Sequence, residues 1–150
     1  MDATPPTDPL LPATYGHALR PLDVAALPAS LAGPYRDSPL LRDWVHALDR
    51  TLRAEKVSSW TTWTEAERRA WDAGDVVAFS RLRGYTEAEI ADYLGFLELT
   101  RRLDADHPED PDFTFCAQHD LLLALSTPAY VALEERLQAL SGVAPPPWPA

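Results

Sequence analysis

The sequence predicts an all-α protein, a compact bundle of five to seven helices with proline-rich termini. Three observations carry that expectation. Apolar residues recur at three- and four-residue steps, the spacing of one helical face, and no stretch alternates in the manner of a half-buried strand. Prolines gather at the ends: eight fall in residues 1–39, four in residues 145–149, and none between Pro39 and Pro108. Proline breaks helix interiors, so the proline-free middle is able to hold long helices. Finally, helix start and stop residues separate the apolar stretches.

Each element follows from those signals. Ser38-Pro39 is an N-cap followed by proline at the first helical position, and Leu41, Trp44, Val45, Leu48 and Leu52 then form one apolar face. Thr64-Glu65-Ala66-Glu67 has capping-box spacing and opens a short helix with Ala70 and Trp71. Gly74-Asp75 interrupts, with Asp75 as a new cap, and Val76, Val77, Phe79 and Leu82 lead to a stop at Gly84. Thr86-Glu87-Ala88-Glu89 is a second capping box, followed by an apolar face of Ile90, Tyr93, Leu94 and Leu97. His107 to Asp112 is an acidic loop broken by prolines. A helix is expected through Phe115, Cys116, His119, Leu122 and Leu123 to Ser126. Thr127-Pro128 opens the last one, carrying Tyr130 or Val131, Leu133, Leu137 and Leu140, with its stop at Gly142. Ahead of all these, Asp23 to Leu31 is expected as a short helical turn broken by Pro28.

A chain of 150 residues suits one domain with one core. The expected division is a flexible proline-rich arm at 1–16, a single helical domain at 17–142 and a proline-rich tail at 143–150. Trp148 stands between prolines in that tail; a ring costly to expose is expected to pack back on the domain or to anchor a partner.

The net charge of -10 is unevenly spread. Residues 1–49 carry 3 Lys/Arg against 6 Asp/Glu, residues 50–103 carry 9 against 9, and residues 104–150 carry 1 against 8. Phosphate backbones attract basic surfaces, so DNA is disfavoured as a partner by net charge, and any nucleic-acid contact belongs in the neutral middle. The longest strongly apolar run, Leu121 to Leu125, is far short of the roughly 20 residues that cross a bilayer, so no membrane partner is expected. The opening residues carry Asp2 and prolines where a signal peptide has a basic start and an apolar stretch. With the single cysteine Cys116, this makes the cytoplasm the expected compartment.

Gly84-Tyr85-Thr86, Glu89-Ile90-Ala91 and Leu94-Gly95-Phe96 resemble the helix-turn-helix of sigma-factor promoter-reading domains and response regulators. The resemblance covers about residues 76–103, Val77 to Arg83 matching the preceding helix. It implies a turn at Gly95 and a following helix that enters the major groove, with Glu98, Thr100, Arg101 and Arg102 facing DNA. The sequence departs from that pattern at Leu97, where the family has a small polar cap, and at Arg101, where it has an apolar anchor. The other reading is one uninterrupted helix from Thr86 to about Asp104, with Gly95 inside it at a cost of about 1 kcal/mol relative to alanine.

Trp44, Trp60, Trp63 and Trp71 crowd the first half of the helical region. They read as a bulky seam between helices or, at Trp60 and Trp63, as contacts for a partner. Cys116 and His119 are three apart, the spacing of a nucleophile pair or half a metal site; a buried small cysteine with a boundary histidine is the plainer reading. Asp43, His46 and Asp49 recur at three-residue steps as a metal face or a solvated one. Glu89-Ile90-Ala91-Asp92 matches half of the paired acidic motif of helical nucleotide pyrophosphohydrolases, without its first half. There is no P-loop, Rossmann glycine pattern or serine-hydrolase elbow, so no cofactor and no metal are expected.

The expected function is that of a small accessory or regulatory protein, non-catalytic and working through contacts with a protein partner, a second copy of the chain included. A divergent helix-turn-helix DNA-binding regulator is the alternative, and a metal-dependent enzyme using helix-borne acids is the weaker one.

Overall fold

The structure is a computed structural model that describes residues 14–141. Seven α-helices follow in order: α1 (Ala29–Asp37), α2 (Pro39–Arg53), α3 (Glu65–Asp72), α4 (Val76–Leu82), α5 (Glu87–Asp106), α6 (Phe113–Leu125) and α7 (Pro128–Ser141). Short 3-10 turns lie at Gly16–Ala18, Val24–Ala26 and Val57–Trp60, and no strand forms among the described residues. The all-α expectation holds. The expected tail with Trp148, the stop at Gly142 and the first part of the arm lie outside the described residues.

α2 is the axis of the molecule. The Ser38 hydroxyl accepts from the Leu41 amide at 3.1 Å, and Pro39 fits the first turn, where its missing N–H costs nothing. Leu41, Trp44, Val45, Ala47, Leu48 and Leu52 are all buried, each large side chain contributing roughly 1.5–3 kcal/mol by leaving water. α5 makes the most extensive pairing with α2. It turns Ile90, Phe96 and Leu103 inward, with Tyr93 and Leu97 half-buried at the edge. That stripe leaves Leu94, expected on the apolar face, on the outside with 40% of its surface exposed.

Two further expectations change. The first is the turn at Asp23 to Leu31, which is instead a 3-10 turn at Val24–Ala26 and then a true helix, α1, that contains Pro34. Pro28 stands just before the first helical residue, where it starts a helix as readily as it ends one, and Pro34 forfeits a single backbone bond. The second is the buried face of α6, formed by Thr114, Ala117, Gln118, Leu121, Leu122 and Leu125. Phe115, Cys116, His119 and Leu123 point outward. That face packs into the core through Ala117, Leu121, Leu122 and Leu125, and two long-range bonds accompany it: Thr114 Oγ1 donates to Asp104 Oδ1 at 2.7 Å and Ser30 Oγ to Asp120 Oδ2 at 2.8 Å.

The end of the expected arm, at Tyr15 and Gly16, is docked on the domain. Tyr15 is fully buried, and the Tyr15 and Gly16 amides both donate to the Glu55 carbonyl. Gly16 lies against the end of α2, where a Cβ would stand 2.2 Å from the Leu52 carbonyl oxygen. Only glycine permits that approach. The Arg20 amide and the Thr127 hydroxyl then tie this segment to the α6–α7 junction.

Candidate functional site

α3 and α4 form a small hairpin set beside the C-terminal end of α2 and the first half of α5. A cleft of about 280 Å³ lies between them. Trp63, Trp71 and Phe79 supply one wall, Tyr85, Ile90 and Tyr93 another, and Arg50, Thr51, Ala54 and Glu55 the α2 side.

Local sequence explains the hairpin. Thr64 and Glu67 complete a capping box: the Glu67 amide donates to Thr64 Oγ1 at 3.1 Å and the Thr64 amide to Glu67 Oε1 at 2.8 Å. Asp75 caps α4 through the Ala78 amide, and Gly84 stops it with φ of 92°, in the region where a side chain is strained. Arg83 locks the unit in place. Its Nη1 donates to Glu67 Oε2 at 3.1 Å and its Nη2 to the Ser58 carbonyl, and both partners of the pair are only 6% exposed. Burial pushes the Glu67 carboxyl up, but the Thr64 bonds and the Arg83 charge outweigh it and hold the group below its ordinary value.

On this frame three aromatic rings meet edge and face. Trp63 and Trp71 have centroids 5.4 Å apart, Trp63 and Phe79 5.0 Å, and Trp71 and Phe79 5.2 Å. Trp71 keeps 47% of its surface exposed at the rim, and the Arg68 guanidinium lies 4.8 Å from the Trp63 centroid.

Glu55 forms the polar end of the cleft. Its Oε2 accepts from the Tyr15 hydroxyl at 2.8 Å and its Oε1 from the Tyr130 hydroxyl at 3.0 Å. Trp60 Nε1 in turn donates to the Tyr15 oxygen at 3.0 Å, and the two tyrosine rings stack 5.6 Å apart. Burial pushes the Glu55 carboxyl up to about 7; the tyrosine bonds pull against this and the nearby Glu134 charge adds to it. Tyr85 is pushed up to about 12 by burial and by the Glu55 charge. The other cleft acids have cationic partners. Lys56 Nζ lies 3.1 Å from Glu89 Oε2 and 5.3 Å from the Tyr85 centroid, and Arg50 Nε lies 3.6 Å from Asp92 Oδ1. Glu89 resembles Glu67: burial raises it, the Thr86 bonds and Lys56 lower it, and the net direction is down. Glu55 is therefore the cleft acid whose charge changes near neutral pH.

The residues singled out from sequence divide sharply. Trp63 is on the cleft. Trp60 is not a surface contact: it is fully buried because its indole N–H finds Tyr15. Trp148 lies outside the described residues. α5 runs unbroken from Glu87 to Asp106, so the turn expected at Gly95 is not formed and no separate recognition helix exists. Glu98, Arg101 and Arg102 are exposed near its far end, with Arg101 Nη2 paired to Glu98 at 2.6 Å. Thr100 turns inward and accepts from Trp44 Nε1 at 2.9 Å, so it is not free to face a nucleic acid. Cys116 is exposed, not buried as its plainer reading expected. His46 Nε2 bonds the Tyr35 hydroxyl and Asp49 pairs with Arg53. No group of three or more His, Cys, Asp or Glu side chains converges to hold a metal among the described residues. Nor is any helix there long and apolar enough to cross a membrane.

Glu55, Tyr15, Tyr130 and Arg83 were not singled out as site residues from the sequence. One signal was present: Glu55 falls three residues after Leu52, on the continuation of the buried α2 face, where a carboxylate is out of place. Comparison with protein-family models, with curated proteins and with solved structures finds no match.

Proposed function

We propose that this is a small accessory or regulatory protein of the cytoplasm that works by binding a protein partner in the cleft between α2, the α3–α4 hairpin and α5. The observation that carries this reading is the ring cluster of Trp63, Trp71 and Phe79, which leaves Trp71 47% exposed beside a preformed cavity. Tryptophan is costly to leave in water and is enriched where partner side chains seat. Beside it the exposed pair Arg50–Asp92 makes a polar, solvated rim. The exposed thiol of Cys116 suits a reducing compartment.

The test is photo-crosslinking in cells with Trp71→benzoylphenylalanine, and with the same replacement at Leu123 on the outer face of α6. A discrete adduct at the first site and none at the second supports the reading; an adduct of twice the chain's mass makes the partner a second copy. Adducts at Leu123 alone, or none at either site, overturn it.

A further inference from the structure

We propose that the cleft receives a lysine side chain of the partner, its ammonium set against Glu55 and its methylenes against the aromatic wall. This rests on the docking reading above and names the chemistry that would satisfy it.

Charge complementarity selects the occupant. Of the acids around the cleft, Glu67, Glu89 and Asp92 each have a cation within 4.0 Å, whereas Glu55 is held by two neutral tyrosine hydroxyls. A half-buried carboxylate gains more from a cation brought to it than an exposed one does, because water screens the pair less than at a surface. The groups facing Glu55 agree. The N-terminal segment offers Tyr15 and α7 offers Tyr130 and the acidic Glu134. Tyr85 lies across from it, the Val57–Trp60 turn adds Trp60 through Tyr15, and the nearby cations Lys56 and Arg83 are already neutralised by Glu89 and Glu67. The whole chain, at -10, draws basic partners.

The geometry favours lysine over arginine. Each Glu55 oxygen already accepts one tyrosine bond, which leaves scattered lone pairs rather than a free edge for a two-toothed guanidinium. A compact ammonium needs only one of them. A cavity of about 280 Å³ sits at the small end of ligand pockets and has room for one long side chain.

The probe is acetyl-Leu-Lys-Leu-amide, compared with the same peptide carrying norleucine for lysine and with butylammonium as the free amine. Binding is read from the indole N–H resonances of the full chain. The lysine peptide should shift the Trp63 and Trp71 signals and bind roughly tenfold tighter than the norleucine peptide. Its affinity should rise about tenfold from pH 6 to pH 8 as Glu55 sheds its proton, while the norleucine peptide shows no such rise. Glu55→Gln, checked for folding by its thermal melt, should remove both the preference and the pH dependence. Trp71→Ala, on the rim, should weaken the lysine peptide several-fold. Equal binding of the two peptides, or a flat pH profile in the unmodified protein, overturns the lysine assignment and leaves the cleft as a docking surface. Butylammonium binding as tightly as the lysine peptide overturns a peptide source. No shift with any probe overturns the assignment, and the crosslinking at Trp71 then decides the docking reading separately.

Discussion

Trp44 and Trp60 are fully buried, while Trp71, on the nearby hairpin, keeps nearly half its surface in water. The difference follows from what each indole meets. Trp44 lies between α2 and α5, tilted on Phe96 at 5.9 Å, with its N–H on Thr100. Trp60 lies under the N-terminal segment with its N–H on Tyr15. Trp63 and Trp71 pack, tilted, on each other and on Phe79, on a unit held by one buried ion pair and two capped helix starts. One region is a dry apolar core; the other keeps its aromatic surface at a cleft. Burial in the first region carries stability, and the second is the surface to which the proposed docking assigns recognition.

Truncation is the strongest way to break this comparison. Trp44→Ala should cost about 3–5 kcal/mol by opening a cavity in the α2–α5 seam. Trp71→Ala should cost less than about 1 kcal/mol, since its ring is half in water already. Denaturant unfolding of both variants measures the gap, and equal losses would remove the distinction between the regions.

Next in size is the lock on the hairpin. Arg83→Met leaves Glu67 buried without its cation, a loss of about 3 kcal/mol. The damage should be local. Hydrogen exchange should show amides of α3 and α4 losing protection while those of α2 retain it. Uniform loss across the chain would mean that hairpin and core open as one.

Protons act oppositely on the two kinds of acid. Glu55 has a folded-state value of about 7 against an ordinary 4.5. Between those values the native protein holds a proton that the unfolded chain has shed. Its contribution is therefore present below about pH 4.5 and lost as pH rises to about 7, a change on the order of 2–3 kcal/mol. Glu134, also raised by burial, works in the same direction. Glu67 and Glu89 are lowered, so their contributions are present above about pH 4.5 and lost as pH falls. Thermal melts across pH should place maximal stability near about pH 5, and Glu55→Gln should flatten the limb above it. An unchanged limb in that variant would assign the slope to Glu134.

Helix starts were the most legible part of the fold. Ser38, Thr64, Asp75 and Thr86 were all read as caps, and each accepts the backbone bond a cap should. Capping is local chemistry, written within four residues. The inward face of α6 was not legible, because Phe115, Leu122 and Leu123 are equally apolar and what separates them is packing against other helices, marked by Thr114 on Asp104 of α5 and by Ser30 of α1 on Asp120. The candidate site was half legible for the same reason. Trp63 was flagged by residue type alone. Glu55 joins Tyr15 and Tyr130, which lie 40 and 75 residues away, and no local pattern announces such a meeting.

The smallest expected effect tests the element that joins the two regions. α5 lines the cleft with Ile90 and Tyr93 and supports Trp44 with Phe96, and Gly95 lies between those ends. Positive φ occurs at Gly74 and Gly84 but not at Gly95, and a Cβ built on Gly95 meets nothing within 4 Å. A mid-helix glycine in open space is a site where alanine removes backbone freedom from the unfolded chain without strain in the folded one. Gly95→Ala should therefore stabilise the protein by about 0.5–1 kcal/mol. At a helix-turn-helix bend with a left-handed glycine the same change would destabilise, so the sign alone distinguishes one helix from two. Because a stiffer α5 serves both regions, exchange protection should rise at Ile90 and at Leu103 together. A gain confined to one end would show that the core and the cleft move independently about Gly95.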